Sequence, residues 1–110
     1  MIEELINGAI QRFNARVDRD QELQKELEGM VRTIQVELKE GKSYCFTLKD
    51  GRMGQLQEGR LDNPDIKIIS DEATLSGLLT GTVKPMKAWA TRKVQFKASL
   101  EDIVRIRKFL

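Results

Sequence analysis

The chain has 110 residues (12.6 kDa), is 40% hydrophobic and 33% charged, and carries a net charge of +2 with no histidine and one cysteine. That length fits one domain over residues 1–110, able to bury roughly two thirds of its unfolded surface without a disulfide or metal. Without histidine there is no Ser-His-Asp or Cys-His nucleophile system and no His-bearing zinc or iron site, while a lone Cys45 cannot form an intrachain disulfide.

Residues 2–17 carry Ile2, Leu5, Ile6, Ala9, Ile10, Phe13 and Val17 at spacings of three and four, which predicts an amphipathic helix. Glu3 and Glu4 suit its first turn. Gly8 costs such a helix about 1 kcal/mol against alanine, so it is expected to serve close packing. Leu23, Leu27 and Met30 mark a shorter helix over 20–30, with Gly29 near its end.

The period then changes to two. Ile34, Val36 and Leu38 alternate with Gln35, Glu37 and Lys39, and Tyr44, Phe46 and Leu48 alternate with Cys45, Thr47 and Lys49. Both segments read as half-buried strands, joined by Glu40-Gly41-Lys42. Asp50-Gly51 predicts a primed hairpin turn into a weak third strand, Arg52 to Glu58. A fourth strand follows over 65–69. Ser70 or Asp71 caps a helix bearing Leu75, Leu78 and Leu79, which stops at Gly81. Pro85 starts a short helix through Ala90. Val94 to Ala98 forms a fifth strand, with Val94 and Phe96 inward. Ser99 opens a last helix whose apolar face holds Leu100, Ile103, Val104, Ile106, Phe109 and Leu110. Partly segregated strands and helices define an α+β class, with one sheet face covered by the amphipathic helices.

No run approaches the roughly 18 apolar residues of a membrane-spanning helix, and Glu3 and Glu4 stand where a signal peptide is basic. A soluble, cytoplasmic protein is expected. Charge is asymmetric: residues 1–83 hold 11 Lys/Arg and 15 Asp/Glu, whereas residues 84–110 hold 8 and 2. A −4 body therefore carries a +6 end, either a solvated surface or an attractor of anionic partners.

No catalytic constellation, metal cluster or phosphate loop emerges. Asp62 and Asp65 flank a turn and read as turn formers. Cys45 has only Lys49 nearby to lower its pKa and reads as structural. Met53, Met86, Trp89, Phe96 and the leucines of 75–79 come from separate elements and can meet around a cavity or simply fill a core. From the residues alone, a hollow and a filled interior are both open.

One stretch carries a resemblance. Gly59-Arg60-Leu61-Asp62-Asn63-Pro64-Asp65-Ile66-Lys67-Ile68-Ile69-Ser70 precedes Leu75-x-x-Leu78-Leu79-Thr80-Gly81, then Pro85 and Ala88, then a strand and helix over 93–110. This pattern resembles the sterol carrier protein type two family. The resemblance covers almost the whole chain and is most specific from Gly59 to Ala88. It implies a five-stranded, mostly antiparallel sheet with helices over one face and a hydrophobic tunnel between them. It also implies non-catalytic binding or carriage of a lipid, fatty acid, acyl-coenzyme A or isoprenoid, with no cofactor and no metal. Ala98-Ser99 stands where that family often has glycine, and Lys108-Phe109-Leu110 does not match a peroxisomal Ser-Lys-Leu tail, so a stand-alone prokaryotic member is expected.

On this reading Phe46, Met53, Leu75, Leu79, Met86, Trp89, Phe96 and Ile103 are the expected apolar lining. Lys84, Lys87, Arg92 and Lys93 are the expected contacts for a headgroup or a transiently bound anionic membrane. A homodimer is a compatible assembly. Nucleic acid is not an expected partner, because aromatics do not interleave with the basic residues. The rival reading is a structural or interaction module, a dimer or accessory subunit of the same fold with a filled core.

Overall fold

The computed structural model describes residues 2–109, with side chains through Lys108. Two helices come first, α1 (Ile2–Arg19) and α2 (Gln21–Leu27). Strands β1 (Val31–Leu38), β2 (Ser43–Lys49), β3 (Arg52–Met53), β4 (Gln57–Glu58) and β5 (Ile66–Ser70) follow. Then come α3 (Glu72–Thr80), α4 (Pro85–Ala90), β6 (Val94–Lys97) and α5 (Leu100–Phe109). The order of strands across the sheet is β3-β2-β1-β5-β6, with β4 also pairing β2. All pairings are antiparallel except β1 with β5. The fold is α+β, as the sequence indicates.

The period-two pattern sets the two sheet faces. Ile34, Val36, Leu38, Tyr44 and Leu48 are buried against helices. In β1 and β2 the register places Ile34 opposite Phe46 and Val36 opposite Tyr44, so their apolar side chains share one face. Ile2, Ile6, Ile10 and Val17 of α1 form the matching stripe. Full burial of each such side chain contributes about 1.5–3 kcal/mol. Ile2, Ile6 and Ile10 pack with Val36, Leu38, Tyr44 and Leu75, and Val17 packs with Leu23, Leu27, Ile34, Leu48 and Ile66.

Local signals place the element ends. Asp50 (φ +50°) and Gly51 (φ +81°) form a two-residue loop between paired Lys49 and Arg52, the geometry of a primed hairpin turn. Asp71, rather than Ser70, caps α3 by accepting from the Thr74 N–H at 3.0 Å. Ser70 is instead buried in β5 and donates to the Lys93 carbonyl at 3.0 Å. Gly81 ends α3 in the left-handed region, and Pro85 opens α4. Ser99 Oγ accepts from the Asp102 N–H at 3.1 Å, starting α5.

Three expectations require revision, and one falls outside the described residues. The second helix is shorter than 20–30, because Asp20 caps it and the chain turns after Leu27 into Gly29 (φ +76°). The third strand is two short pieces: the Gly54 N–H folds back to the Thr47 carbonyl (2.8 Å), and Leu56 turns into the core. Gly8 does not mediate close packing, since a Cβ there meets only the tip of Arg12. The tightly packed glycine is Gly77 of α3, where a Cβ would lie 2.4 Å from Val83 Cγ2. The Phe109 and Leu110 side chains, expected on the apolar face of α5, lie outside the described residues.

The outer face of the sheet is also partly covered. The crossover from β4 to β5 passes across β1, and the Leu61 N–H donates to Gln35 Oε1 at 2.8 Å. Arg60 pairs with Glu37 at 2.7 Å. Asp65 accepts from the Thr33 N–H at 2.8 Å and its own N–H donates to Thr33 Oγ1 at 2.9 Å, a turn-anchoring role. Gln35 and the free thiol of Cys45 are consequently buried.

Candidate functional site

A cavity of about 170 Å³ lies between the inner sheet face and the helices. Its sheet wall comprises Ile34, Phe46, Leu48, Met53, Ile66, Ile68 and Phe96. Its helical wall comprises Phe13, Leu27 and Ile106, with Met30 from the turn before β1. The volume is close to the ~150 Å³ of an apolar cavity that stays dry and admits benzene. It lies below the ~300–1,000 Å³ of typical ligand pockets, so a longer guest requires side chains to move. Met30 and Met53 are suited to this, being unbranched and adaptable.

Met53 is positioned by a specific device. The Asn14 side-chain amide donates to the Met53 carbonyl at 3.0 Å and accepts from the Met53 N–H at 2.8 Å. It thus supplies the pairing that another strand would give, tying α1 to the sheet edge. Phe96 is fixed by Trp89, whose ring stands edge-on to it at a centroid distance of 5.1 Å and an interplanar angle of 69°.

The remaining residues at the wall are ionic, but they present carbon to the cavity and turn their charged atoms towards one another. Asp102, buried near the start of α5, accepts from Arg32 Nε at 2.8 Å and Arg105 Nη1 at 3.0 Å. Arg32 and Arg105 are only 26% and 22% exposed. Arg105 also meets Glu101 at 3.0 Å, but Glu101 is 73% exposed. The Asp102 hydrogen bond, opposed by burial, holds the Arg32 guanidinium above its ordinary pKa and firmly charged.

Of the eight expected lining residues, Phe46, Met53 and Phe96 stand at the cavity wall. Trp89 stands behind Phe96. Leu75 and Leu79 belong to the neighbouring core cluster around α1, Ile103 is half-buried away from the wall, and Met86 is exposed. Lys84, Lys87, Arg92 and Lys93 are all exposed and none lines the cavity. Sequence reasoning missed Arg32 and Arg105. The signal was present in β1, where Arg32 occupies the inward phase shared by Ile34, Val36 and Leu38.

Among the described residues no group of His, Cys, Asp and Glu is arranged to hold a metal, and no helix is long and apolar enough to cross a membrane.

Comparison with known proteins places this architecture. The sterol carrier protein 2-like 2 of Aedes aegypti is similar over 100% of both chains, with 13% identity and a TM-score of 0.65. The solution structure of its palmitated form matches 91% of this chain and 88% of that one, at 14% identity and a TM-score of 0.63. A sec-alkylsulfatase from Pseudomonas sp. matches 74% of this chain at 13% identity and a TM-score of 0.58. The chain spans only 13–14% of the length of the two sec-alkylsulfatase structures it matches. At these identities the likeness concerns the fold. No curated protein matches. The model of the SCP-2 sterol transfer family matches residues 10–110, nearly the whole chain, so the protein belongs to the SCP-2 sterol transfer family.

Proposed function

We propose that the protein is a single, non-catalytic lipid-binding domain that carries the apolar part of a lipid, fatty acid, acyl-coenzyme A or isoprenoid in the cavity under its sheet. The observation that carries this reading is the apolar cavity itself, in a domain whose other inward side chains are closely packed. Filling it removes guest surface from water at about 25 cal/mol per Å². A guest longer than the cavity enters by displacing Met30 and Met53. The exposed Lys84, Lys87, Arg92 and Lys93 lie on α4 and at its two ends, where they suit a transient contact with an anionic, cytoplasm-facing membrane.

Trp89 provides the readout. It touches Phe96, which lines the cavity, so a guest that shifts Phe96 alters the indole environment. Titration with fatty acids and acyl-coenzyme A should change Trp89 emission saturably, and solvent extraction of the purified protein should release a bound lipid. Flat emission with every lipid and an extract free of lipid would refute the proposal. A second reading, an interaction module or homodimer, is favoured by Leu100 and Val104, both exposed on α5. A concentration-dependent sedimentation coefficient, lost on Leu100→Ser, would support it.

A further inference from the structure

We propose that the free edge of β6 is a docking site for an extended acidic segment of a partner protein, which pairs with the Phe96 backbone and sets its carboxylates against Arg92 and Lys97. β6 is the last strand of the sheet on its side. An open groove of about 400 Å³ runs beside it, lined by Val94, Gln95, Phe96 and Lys97 together with Trp89, Ala90 and Arg92. The side chains of Val94 and Phe96 point to one face of the sheet and those of Gln95 and Lys97 to the other. A groove that touches all four therefore follows the margin of the strand. It is separate from the cavity under the sheet, and its use does not require a bound lipid.

Hydrogen-bond parity fixes which backbone groups face it. The Lys39 N–H donates to the Ser70 carbonyl at 2.9 Å, so Ser70 turns its N–H and carbonyl towards β1. These directions alternate along a strand, so Lys67 and Ile69 turn theirs towards β6. Their partners Lys97 and Gln95 complete that ladder, and Val94 and Phe96 consequently point their backbone groups away from the sheet. Val94 is buried. Phe96 is only half-buried, and no loop, cap or side-chain hydrogen bond to its backbone is present among the described residues. An added strand can exchange two main-chain bonds there, the mode by which extended peptides join a sheet edge.

The surroundings decide what kind of strand. No acidic residue lies between Glu72 and Glu101, a stretch that carries Lys84, Lys87, Arg92, Lys93 and Lys97. All five are exposed, and none forms an ion pair among the described residues. Trp89 and Phe96 supply apolar surface between Arg92 and Lys97. Those two cations are at most about 16 Å apart along the chain, at ~3.3 Å per residue, so acids at the two ends of a short extended segment reach both. A second copy of β6 would bring like charges together instead. An anionic bilayer can meet the lysines of α4, but it has no main chain to pair with Phe96.

The test titrates the full chain with a synthetic peptide, blocked at both ends, that has a Val-Thr-Val centre and two aspartates on each side. Trp89 emission and hydrogen exchange of the Phe96 amide are the readouts. Binding should saturate with a Kd below about 1 mM, and the Phe96 amide should exchange at least about tenfold more slowly in the complex. The same peptide with lysine in place of aspartate should bind at least about tenfold more weakly, as should the acidic peptide with its central amides N-methylated. Lys97→Glu, at an exposed position, should weaken the acidic peptide and strengthen the basic one without lowering the melting temperature. Phosphatidylglycerol vesicles should leave the Phe96 amide unprotected. Equal affinity for the two peptides, no binding of the acidic one at about 1 mM, or an unchanged Phe96 amide in its presence would overturn the docking site. Protection of that amide by the vesicles and not by the peptide would overturn it too, and would give these cations to a membrane.

Discussion

Two glycines in helices separate propensity from packing, and they should respond to alanine in opposite directions. Gly8 lies in α1, where an added Cβ meets only Arg12 Nη1, the end of a flexible side chain, at 3.3 Å. Gly8→Ala should therefore gain close to the full helix preference, about 1 kcal/mol. Gly77 lies in α3, and its carbonyl accepts the Gly81, Thr82 and Val83 N–H groups as the chain folds back over the helix end. That return brings Val83 Cγ2 to 2.4 Å and Thr82 Oγ1 to 3.1 Å from a Cβ at position 77. Carbon atoms prefer roughly 3.5–4.0 Å, so Val83 must retreat by more than about 1 Å. Overpacking of this kind costs about 1–3 kcal/mol, and opening the turn weakens hydrogen bonds besides. Set against the propensity gain, Gly77→Ala should lose about 1–2 kcal/mol. Urea midpoints and melting temperatures measure both variants, with roughly 4–8 °C expected per kcal/mol in a domain of this size. Val83→Ala removes the clashing methyl, so Gly77→Ala should cost much less in that background. A Gly77→Ala protein as stable as the parent, or an equal cost with and without Val83, would refute the packing argument.

Asp102→Ala should cost about 2–3 kcal/mol by urea denaturation, less than a fully buried broken pair because both arginines retain some access to water. Tyr44 is buried and its hydroxyl, which has the Glu3 carboxylate as a neighbour, makes no well-formed hydrogen bond among the described residues, so Tyr44→Phe should raise the melting temperature, by up to about 1 kcal/mol in stability. Burial, and then the charge of Glu3, push the Tyr44 phenol above its ordinary pKa. Its contribution is therefore complete below about pH 10 and lost as pH rises through the folded value, a loss that Tyr44→Phe should lack. Asp71 is held below the ordinary carboxylate range by the Thr74 hydroxyl and N–H. Its charge stabilises the fold fully above about pH 4 and ceases to as pH falls through the lowered value. The advantage of the parent over Asp71→Asn at about pH 6 should accordingly vanish in acid, as followed by circular dichroism. Asn14→Ala should free Met53 at the cavity wall and lose both of its hydrogen bonds to the sheet edge, costing about 1–2 kcal/mol.

Much of the architecture is legible in the residues because its causes are local. Alternation in Ile34–Leu38 and Tyr44–Leu48 marks strands with one buried face, and Asp50-Gly51 announces its own turn type. What local pattern does not encode is which distant segments meet. Nothing in Ile66–Ser70 alone states that it pairs in parallel with β1, because that register depends on the crossover held by Gln35 and Thr33. The site follows the same division. Phe46, Met53 and Phe96 are inward by parity and reach the cavity. Leu75 and Leu79 are equally apolar, but α3 packs on α1 and carries them elsewhere. Met86 stays exposed because α4 is short and only Ala88 is buried in it. The basic residues most visible in the sequence are clustered, whereas the two arginines at the cavity are 73 residues apart and meet only through Asp102.

The break in the third strand has a bearing on how the protein behaves at high concentration. An open sheet exposes unpaired backbone at its margins, and an uninterrupted margin invites other chains to add to it. Here one margin is divided into two-residue pieces, with Gly54 turned back onto Thr47, and Asn14 already occupies the Met53 amide and carbonyl. The opposite margin, β6, is four residues long, with lysines at 93 and 97 at its ends. Neither border offers a long, neutral template for fibril growth. A domain built around a greasy interior can thus open it to a guest without its own sheet seeding aggregation.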